Sequence, residues 1–509
     1  MLLSKRMFLA SVFFLWSLAL LSQSLPPKRE LRGVWVATVQ NIDWPSKRGL
    51  ASDVQRQELI RIFDEHQKTG INAIVLQVRP VADALYAKSR EPWSMFLSGK
   101  QGQPSLPVYD PLEFAVGEAH KRGMELHAWF NPYRATTDTI DSNTSEQHIS
   151  RTKPEWFFTY GGKKYFNPAL PEVRAYIVQV IMDVVRNYDI DGVHFDDYFY
   201  PYPVKGQILP DSALFSKYGQ GFSSVDDWRR NNVDLLIKTL SDSIHSAKRY
   251  VKFGISPFGI WRNKKDDPEG SETNGLSGYS ALYADARKWM KEGWVDYNVP
   301  QVYFPFNYAP AAYEKLVDWW SNNAFGKHLY IGQGVYRATE DKEGWRDRKQ
   351  LPEQVRYLRQ NERVQGSVYF SSKSLTNNLA GFRDSLKNDF YKYPALQPQM
   401  IWLDAIPPLA PLELEATASQ EGVKLKWNPP LPVRDGESAY GYVVYRFDKK
   451  ERVDINNPKN IIHIGFNRSE TFYTDKSYGH TGKYVYLVTA IDRLKNESTP
   501  SNVAKVKVK

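Results

Sequence analysis

The sequence predicts an α/β protein in which a (β/α)8 TIM barrel is followed by an all-β sandwich. Over residues 29–395, eight short apolar segments alternate with eight longer amphipathic segments, a pattern typical of parallel strands connected by helices. Residues 412–509 show short segments in which apolar and polar residues alternate, a pattern typical of half-buried strands. A chain of 509 residues is longer than one hydrophobic core usually accommodates, so more than one domain is expected.

Each predicted barrel strand is rich in aliphatic and aromatic residues. The strands are 31–39, 73–80, 124–131, 191–196, 252–258, 297–304, 328–336 and 366–371. The predicted helices are 53–69, 110–122, 172–187, 226–249, 279–292, 310–324, 352–363 and 376–389. Eight strand–helix pairs favour a closed barrel. The alternative, a doubly wound open sheet, usually carries a glycine-rich phosphate turn after its first strand, and "VATVQNIDWP" (36–45) has none.

Long connections follow four of the predicted strands. They are 81–109, 132–171, 197–225 and 259–278. In a TIM barrel the loops after the strands form the face that carries the active site. We therefore expect a deep groove at this face, suited to an extended substrate.

The C-terminal part is predicted to be a separate small domain. The proline-rich segment 396–411 reads as a linker. Beyond it, Trp427, Tyr442 and the alternating pair Tyr484 and Tyr486 resemble a fibronectin type III domain, an immunoglobulin-like sandwich. The sequence of this domain indicates no chemistry, so it is interpreted as a spacer, a brace for the barrel or a binding module.

Residues 1–24 have the pattern of a signal peptide. Lys5 and Arg6 precede an apolar run at 7–21, which small residues follow. An uncleaved membrane anchor is the alternative, but the run is short for a span of about 20 residues. We expect an exported protein, periplasmic or bound to the cell envelope, without stable membrane insertion after cleavage.

The composition excludes several kinds of site. The chain has no cysteine, which excludes disulfides, thiolate metal sites and a cysteine nucleophile. Its net charge of +10 is compatible with an anionic envelope polymer or simply with a solvated surface. No lysine- and arginine-rich run or nucleic-acid motif is present, so nucleic-acid binding is not expected, and the sequence does not predict an oligomeric state.

Polar and aromatic residues collect at the predicted ends of the barrel strands. Those predicted to bind substrate are Arg79, Asp83, His127, Trp129, Asn131, Tyr133, Arg134, His194, Tyr198, Trp261, Gln301, Tyr303 and Tyr336; Arg262, Gln333 and Arg337 lie at the same ends. Polar residues at these ends are typical of function, because interior positions must pack. Amides, carboxylates and aromatic rings together suit a carbohydrate, whose pyranose rings offer flat apolar faces.

Asp196 and Asp197 lie side by side in "DIDGVHFDDYFYP" (189–201), where the fourth strand ends. Where the strand turns into its loop, both carboxyl groups can face the same opening of the barrel. Ionising both of them there is unfavourable, because the like charges repel each other. One pKa should then rise, and that group can donate a proton near neutral pH, as glycoside hydrolysis requires. We therefore predict both to be catalytic. The alternative is a scaffold ion pair with Arg79 or Arg134.

No metal ion or other cofactor is expected. None of the nine histidines stand three or four residues apart, so the helical-face spacing of metal ligands is absent. His127 and His194 could meet on neighbouring strands, but as interior residues they are interpreted as hydrogen-bonded packing or sugar contacts. Metal-dependent deacetylation of a polysaccharide is a weaker alternative.

Four motifs in order resemble the glycosyl-hydrolase-like family 10, formerly domain of unknown function 187. They are "LRGVWVATVQNIDWPS", "VRPVADALYAKSREPWS", "YDPLEFAVGEAHKRGMELHAWFNPYR" and "DGVHFDDYFYP". The resemblance covers residues 29–390, and a fibronectin-type tail is common in the family. It implies an exported bacterial hydrolase of cell-envelope glycan, specifically of peptidoglycan strands without stem peptides. It also implies that the strand 4 aspartates and the polar residues of strands 2 and 3 line the groove.

The mechanism stays open at this point, because no end of strands 5 to 8 carries a carboxylate. A loop residue could complete a catalytic pair: Asp43, Asp83, Glu91 or Glu269. Alternatively the 2-acetamido group of the substrate could act as nucleophile; by analogy with O-GlcNAcase-type barrels, Asp196 would polarise it and Asp197 would be the acid/base. A non-catalytic glycan-binding envelope protein is the second function considered. Arg79, Arg134 or Arg262 could bind the lactyl carboxylates of stripped strands.

Overall fold

The computed structural model describes residues 26–140, 143–433, 438–479 and 481–508. The predicted signal peptide lies outside them. Within these ranges, no helix combines the length and the apolar character needed to cross a membrane.

The barrel strands run parallel, and their positions follow the predicted apolar segments. They are β1 Leu31–Val36, β2 Ala73–Arg79, β3 Glu125–Phe130, β6 Gly192–Phe195, β7 Lys252–Ile255, β8 Tyr297–Asn298, β9 His328–Leu329, β10 Ile331–Gly334 and β11 Gly366–Phe370; an antiparallel hairpin, β4 Phe157–Tyr160 and β5 Lys163–Phe166, lies in the loop after β3. The predicted sixth and seventh strands are shorter or divided. Pro300 has no N–H to donate, which accounts for the early end of β8.

The sheet closes on itself through the divided seventh strand. Its order is β10-β11-β1-β2-β3-β6-β7-β8-β9. β9 pairs with β8, whereas β10 pairs with β11. Only Tyr330 separates β9 from β10, so the same chain segment forms both edges. The predicted TIM barrel is confirmed.

Helices surround the barrel and occupy its long loops. They are α1 Ser52–Thr69, α2 Met95–Ser98, α3 Pro111–His120, α4 Ile149–Thr152, α5 Pro171–Asn187, α6 Ser212–Tyr218, α7 Val225–Ala247, α8 Gly278–Ala281, α9 Ala286–Lys291, α10 Tyr313–Asn322, α11 Gln350–Arg359, α12 Ser372–Thr376 and α13 Phe382–Ser385. Two predicted helices are broken. Left-handed backbone at Tyr283 interrupts 279–292, and left-handed backbone at Asn378 and Ala380 interrupts 376–389.

The C-terminal part forms the predicted all-β sandwich. Its strands are β12 Leu412–Ser419, β13 Gly422–Asn428, β14 Gly441–Asp448, β15 Ile461–Gly465, β16 Phe472–Asp475, β17 Gly482–Ile491 and β18 Ala504–Val508. They form a three-stranded sheet, β12-β13-β16, and a four-stranded sheet, β15-β14-β17-β18. Trp427 and Tyr442 pack between the sheets with ring centroids 5.3 Å apart.

The predicted linker is not a free segment in its first half. Leu396 pairs with Arg29 beside β1 and is fully buried. Met400 and Leu403 are buried in the same apolar cluster as barrel residues such as Trp35. This segment therefore covers the end of the barrel opposite the long loops.

Candidate functional site

Asp196 and Asp197 follow β6 at the face of the barrel that carries the long loops. Both carboxyl groups are nearly buried, with 4% and 3% of the residue exposed. The structure brings them together with five other predicted residues: Trp129, Asn131, Arg134, Tyr198 and Gln301.

Asp196 is held from the side of β3. Its Oδ2 accepts hydrogen bonds from Trp129 Nε1 at 3.0 Å and Asn131 Nδ2 at 3.3 Å, and its Oδ1 accepts one from the Tyr198 amide at 3.2 Å. Burial is the largest influence and raises the pKa of Asp196 to about 7; the charge of Asp197 adds to the rise, and that of Arg134 opposes it. Asp196 can therefore hold a proton near neutral pH.

Asp197 is held from the opposite side. Its Oδ1 accepts a hydrogen bond from Gln301 Nε2 at 3.1 Å, and its Oδ2 accepts one from the Tyr202 hydroxyl. Burial raises the pKa of Asp197 as well, but these two donors lower it, because they stabilise the carboxylate. The Gln301 amide also donates to Ser256, which fixes its orientation.

Arg134 is the cation whose charge acts on both aspartates. Its guanidinium lies over the Tyr198 ring at 5.1 Å, and its backbone N–H donates to Asn131 Oδ1 at 2.9 Å. Among the described residues, neither aspartate forms an ion pair with an arginine within 4.0 Å. The arrangement does not match the scaffold ion pair considered as the alternative.

Aromatic side chains line the mouth beside the aspartates. Tyr303 stacks on Phe370 at 6.3 Å and meets the edge of Tyr336 at 6.1 Å. We call Tyr303, Tyr336 and Phe370 the aromatic wall. Gly334 makes room for it, because a Cβ there would lie 3.1 Å from atoms of both tyrosines.

A second aromatic group stands beside Asp197. Tyr198 packs against Tyr202 at 5.5 Å, and Tyr202 packs against Phe258 at 6.3 Å. Tyr198 and Tyr336 each expose more than a third of their surface, as a sugar-binding ring must.

Seven of the residues predicted to bind substrate lie inside the protein. They are Arg79, Asp83, His127, Asn131, Tyr133, His194 and Trp261, none more than 5% exposed. Arg79 makes two hydrogen bonds of 2.6 Å to Glu91, and Trp261 donates to Asp285 at 2.9 Å. Because these groups are enclosed by protein partners, the structure places them as support and does not present them to a ligand.

The loop carboxylates that could have completed a catalytic pair are occupied. Asp43 accepts from the Ala37 and Lys373 amides and from Ser371. Glu91 binds Arg79, and Asp83 is buried beside Gln101. Glu269 binds Arg287 at 2.8 Å. Asp196 and Asp197 are therefore the carboxyl pair that this mouth offers.

Three contributors to the site were missed by sequence reasoning: Tyr202, Phe258 and Phe370. Tyr202 lies beyond the predicted strand end, and Phe258 and Phe370 lie at predicted strand ends but lack the polar character that drew attention to their neighbours. The aromatic run after Asp197 is the one signal that could have found Tyr202. In the ranges that the structure describes, no three His, Cys, Asp or Glu side chains are arranged to hold a metal ion.

Comparisons with known proteins found a family profile, similar sequences and a solved structure that aligns with the barrel. The sequence profile described as glycosyl hydrolase-like 10 matches residues 30–347. Glycosyl hydrolase YngK of Bacillus subtilis (strain 168) is 46% identical over 480 residues, which are 93% of this chain and 92% of the relative. Glycosyl hydrolase DigH of Escherichia coli (strain K12) is 40% identical over 364 residues, 67% of this chain and 82% of the relative. The glycoside hydrolase domain of PgaB (BpsB) from Bordetella bronchiseptica aligns with 14% identity and a TM-score of 0.44, over 73% of this chain and 100% of that domain.

Proposed function

The chain belongs to the glycosyl hydrolase-like 10 family, and from this we propose that it is an exported hydrolase of cell-envelope glycan. We propose peptidoglycan strands without stem peptides as the substrate. The observation that carries the proposal is the Asp196–Asp197 pair, two buried carboxyl groups with raised pKa values beside an aromatic wall in which Tyr336 is exposed.

The proposed mechanism uses the 2-acetamido group of the substrate. Its carbonyl oxygen attacks the anomeric carbon, the glycosidic bond breaks, and the leaving oxygen takes a proton from one aspartate. The other aspartate, as carboxylate, orients and polarises the acetamide. Water then opens the cyclic intermediate, and the first aspartate accepts a proton from that water. The scheme fits a mouth in which the loop carboxylates are occupied elsewhere.

The contacts favour roles opposite to those suggested by analogy with O-GlcNAcase-type barrels. Burial raises the pKa of Asp196 to about 7, so it holds the proton. Tyr202 and Gln301 stabilise the carboxylate of Asp197. We therefore assign Asp196 as proton donor and Asp197 as the polarising carboxylate.

The central experiment measures new reducing ends after purified protein is incubated with stripped peptidoglycan strands. The wild type should release them, and Asp196→Asn and Asp197→Asn should not. Binding of the strands without release would favour the non-catalytic glycan-binding protein. Release of acetate, abolished by a chelator, would favour deacetylation.

A thiazoline inhibitor tests the participation of the acetamide. It mimics the cyclised intermediate and should bind the wild type tightly. A wild type that cleaves strands and ignores the thiazoline would exclude the substrate-assisted scheme while leaving the hydrolase in place.

Leaving-group dependence separates the two role assignments. A leaving group of low pKa needs little protonation. Asp196→Asn should therefore keep much of its activity on an aryl glycoside, while Asp197→Asn should lose activity on aryl and natural substrates alike. The reverse pattern would restore the assignment by analogy.

A further inference from the structure

Five buried side chains form a continuous hydrogen-bonded chain through the barrel interior. Trp35 Nε1 donates to His194 Nε2 at 3.2 Å. His194 Nδ1 and His127 Nδ1 lie 3.1 Å and 2.7 Å from the Tyr297 hydroxyl. His127 Nε2 lies 3.1 Å from Glu125 Oε2. We call Trp35, His194, Tyr297, His127 and Glu125 the axial chain.

The two ends of the axial chain determine which atom donates in each of its hydrogen bonds. An indole N–H can only donate, so His194 accepts at Nε2 and carries its proton on Nδ1. Burial lowers the pKa of His194 well below its usual value, which keeps the ring neutral. His194 then donates to the Tyr297 oxygen. The Tyr297 hydroxyl in turn donates to His127 Nδ1, and His127 donates from Nε2 to the Glu125 carboxylate.

Two glycines make space for this chain. A Cβ at Gly192 would lie 2.8 Å from His127 Nδ1, and a Cβ at Gly254 would lie 2.0 Å from Tyr297 Cζ. Both positions belong to barrel strands, β6 and β7. Because bulkier residues cannot stand at either position without displacing the rings, the barrel is built around the axial chain.

The lower end of the axial chain is completed by the other domain. Lys252 Nζ lies 2.6 Å from both oxygens of Glu125. Lys495 Nζ, from the loop between β17 and β18, lies 3.2 Å from Oε1, and both side chains of this interdomain pair are fully buried. Leu494 enters the same apolar cluster as Trp35 and Tyr297. The sandwich therefore supplies part of the barrel floor.

The upper end of the axial chain supports the mouth. The Trp35 ring meets Phe370 edge-on at 6.3 Å, and Phe370 stacks on Tyr303. Trp129, which donates to Asp196, lies in the same apolar cluster as Trp35. A change in how Trp35 is held is transmitted to the aromatic wall by direct contact.

We propose that Lys495 of the sandwich is a positioning residue for the site in the barrel. It pairs with the buried carboxylate that accepts at the end of the axial chain, and the chain holds Trp35 beneath the aromatic wall. The KM measurement that tests this inference rests on the proposed hydrolase function.

The test uses full-length variants. Lys495→Met removes the charge, and Lys495→Arg retains it. Tyr297→Phe removes the central hydroxyl without touching the domain interface. Arg493→Met is the matched control, because Arg493 stands in the same loop and pairs across the interface with Asp189 at 2.6 Å, away from Glu125.

The first readout is the imidazole tautomer, observed by NMR of protein labelled with 15N-histidine and assigned with His194→Gln and His127→Gln. The wild type should show His194 with its proton on Nδ1, the less common tautomer in water, and His127 with its proton on Nε2. Trp35 keeps the proton of His194 on Nδ1 in every variant. Tyr297→Phe should move the Nδ1–H signal of His194 upfield, because that proton loses its acceptor. Lys495→Met should shift the Nε2–H signal of His127, because Glu125 loses one of its two lysine partners. Lys495→Arg and Arg493→Met should leave both signals in place.

The second readout is substrate binding. Lys495→Met and Tyr297→Phe should raise KM for glycan strands about tenfold with little change in kcat, a loss equal to about 1.4 kcal/mol. Wild-type imidazole N–H signals together with a wild-type KM in Lys495→Met and Tyr297→Phe would overturn the proposal. If Lys495→Met does not fold, the same outcome in Tyr297→Phe alone would overturn it.

The two hypotheses fail differently. A wild type that binds strands without cleaving them refutes the hydrolase, and the dissociation constant then replaces KM. If the wild type cleaves strands while Tyr297→Phe leaves the Nδ1–H signal of His194 and KM unchanged, the role of the axial chain is refuted and the hydrolase stands.

Discussion

Burial and hydrogen bonding act in opposite directions on the adjacent carboxyl groups of Asp196 and Asp197. Both are removed from water, which favours the neutral form. Asp197 accepts from the Tyr202 hydroxyl and the Gln301 amide, which lower its pKa, whereas at Asp196 the charge of Arg134 lowers the pKa and the charge of Asp197 raises it. Neighbouring residues of the same type thus differ in the contacts that favour or oppose their charged form.

The pH dependence of cleavage should reflect the proton on Asp196. Because the pKa of Asp196 is raised to about 7, kcat/KM should fall as pH rises through this value. The measurement is initial rate against pH on soluble stripped oligomers. In Tyr202→Phe, the Asp197 carboxylate loses a donor, and the acid limb should move to higher pH. A wild-type rate that stays level from about pH 5 to about pH 9 would contradict the assignment.

The same proton affects stability. The folded pKa of Asp196 lies above its unfolded value, so the folded state binds more protons between the two. The contribution of this proton to the free energy of unfolding is thus fully present below about pH 4 and is lost as pH rises through about 7. Asp196→Asn removes this loss and should raise Tm at about pH 8 but not at about pH 4. The gain in the free energy of unfolding at about pH 8 should be up to a few kcal/mol, at ~1.4 kcal/mol for each pKa unit. Asp242→Asn, in an exposed pair with Lys238, is the control and should show no such pH dependence; a pH-independent effect of Asp196→Asn would refute the raised pKa.

Arg134 is expected to select anionic glycan. Its guanidinium lies over Tyr198 beside the aspartates, where it could donate hydrogen bonds to a lactyl carboxylate of the substrate. Arg134→Ala should weaken binding of stripped strands about tenfold more than binding of neutral chitin oligomers. Arg262→Ala is the control, since Arg262 is held by Asp267 at 2.5 Å. The dissociation constants for both ligands can be measured by isothermal calorimetry. Equal losses of affinity for both ligands in Arg134→Ala would exclude charge recognition.

At the scale of strands and helices, periodicity located the elements but not their interruptions. The apolar runs predicted β1, β2, β3 and β11 to within a few residues. The apolar runs alone did not mark the end of β8, although Pro300 within its run is a sequence signal for that end. They could not show that Tyr330 divides the seventh strand, because that segment is continuous as a pattern. Strand ends located the face of the barrel that carries the site but did not give the depth of each side chain. Tyr198 and Tyr336 are exposed at the mouth, whereas Arg79 and His194, from the same kind of position, lie in the interior.

Glycines in the barrel strands should be intolerant of even one added methyl group. Gly254→Ala would place Cβ 2.0 Å from Tyr297 Cζ, so the ring or the strand must move. We expect a loss of about 1–3 kcal/mol or more, measured by urea unfolding. Gly117→Ala is the matched control: it lies in α3 with no atom within 4 Å of the added Cβ, and should stabilise by about 0.5–1 kcal/mol. Equal effects of the two changes would contradict a filled interior.

At the scale of the whole molecule, the barrel and the sandwich share buried groups and do not merely adjoin. Leu396 contributes to an apolar cluster of sandwich residues, and Leu494 contributes to one of barrel residues. The buried pair of Lys495 and Glu125 crosses between them. If the sandwich unfolded first, the buried Lys495–Glu125 pair would break and the apolar floor of the barrel would open to water, both of which are costly.

The two domains should therefore unfold in a single cooperative transition. Scanning calorimetry should give one peak in which the calorimetric and van't Hoff enthalpies agree. Leu494→Ala removes apolar contacts from the shared floor and should lower that single peak, with a loss of about 2–5 kcal/mol. Leu431→Ala, on a side chain 68% exposed in the sandwich, is the control and should leave the peak in place. Two separate peaks in the wild type, or a loss in Leu494→Ala confined to one of them, would show that the domains fold independently and that the floor is a contact without energetic weight.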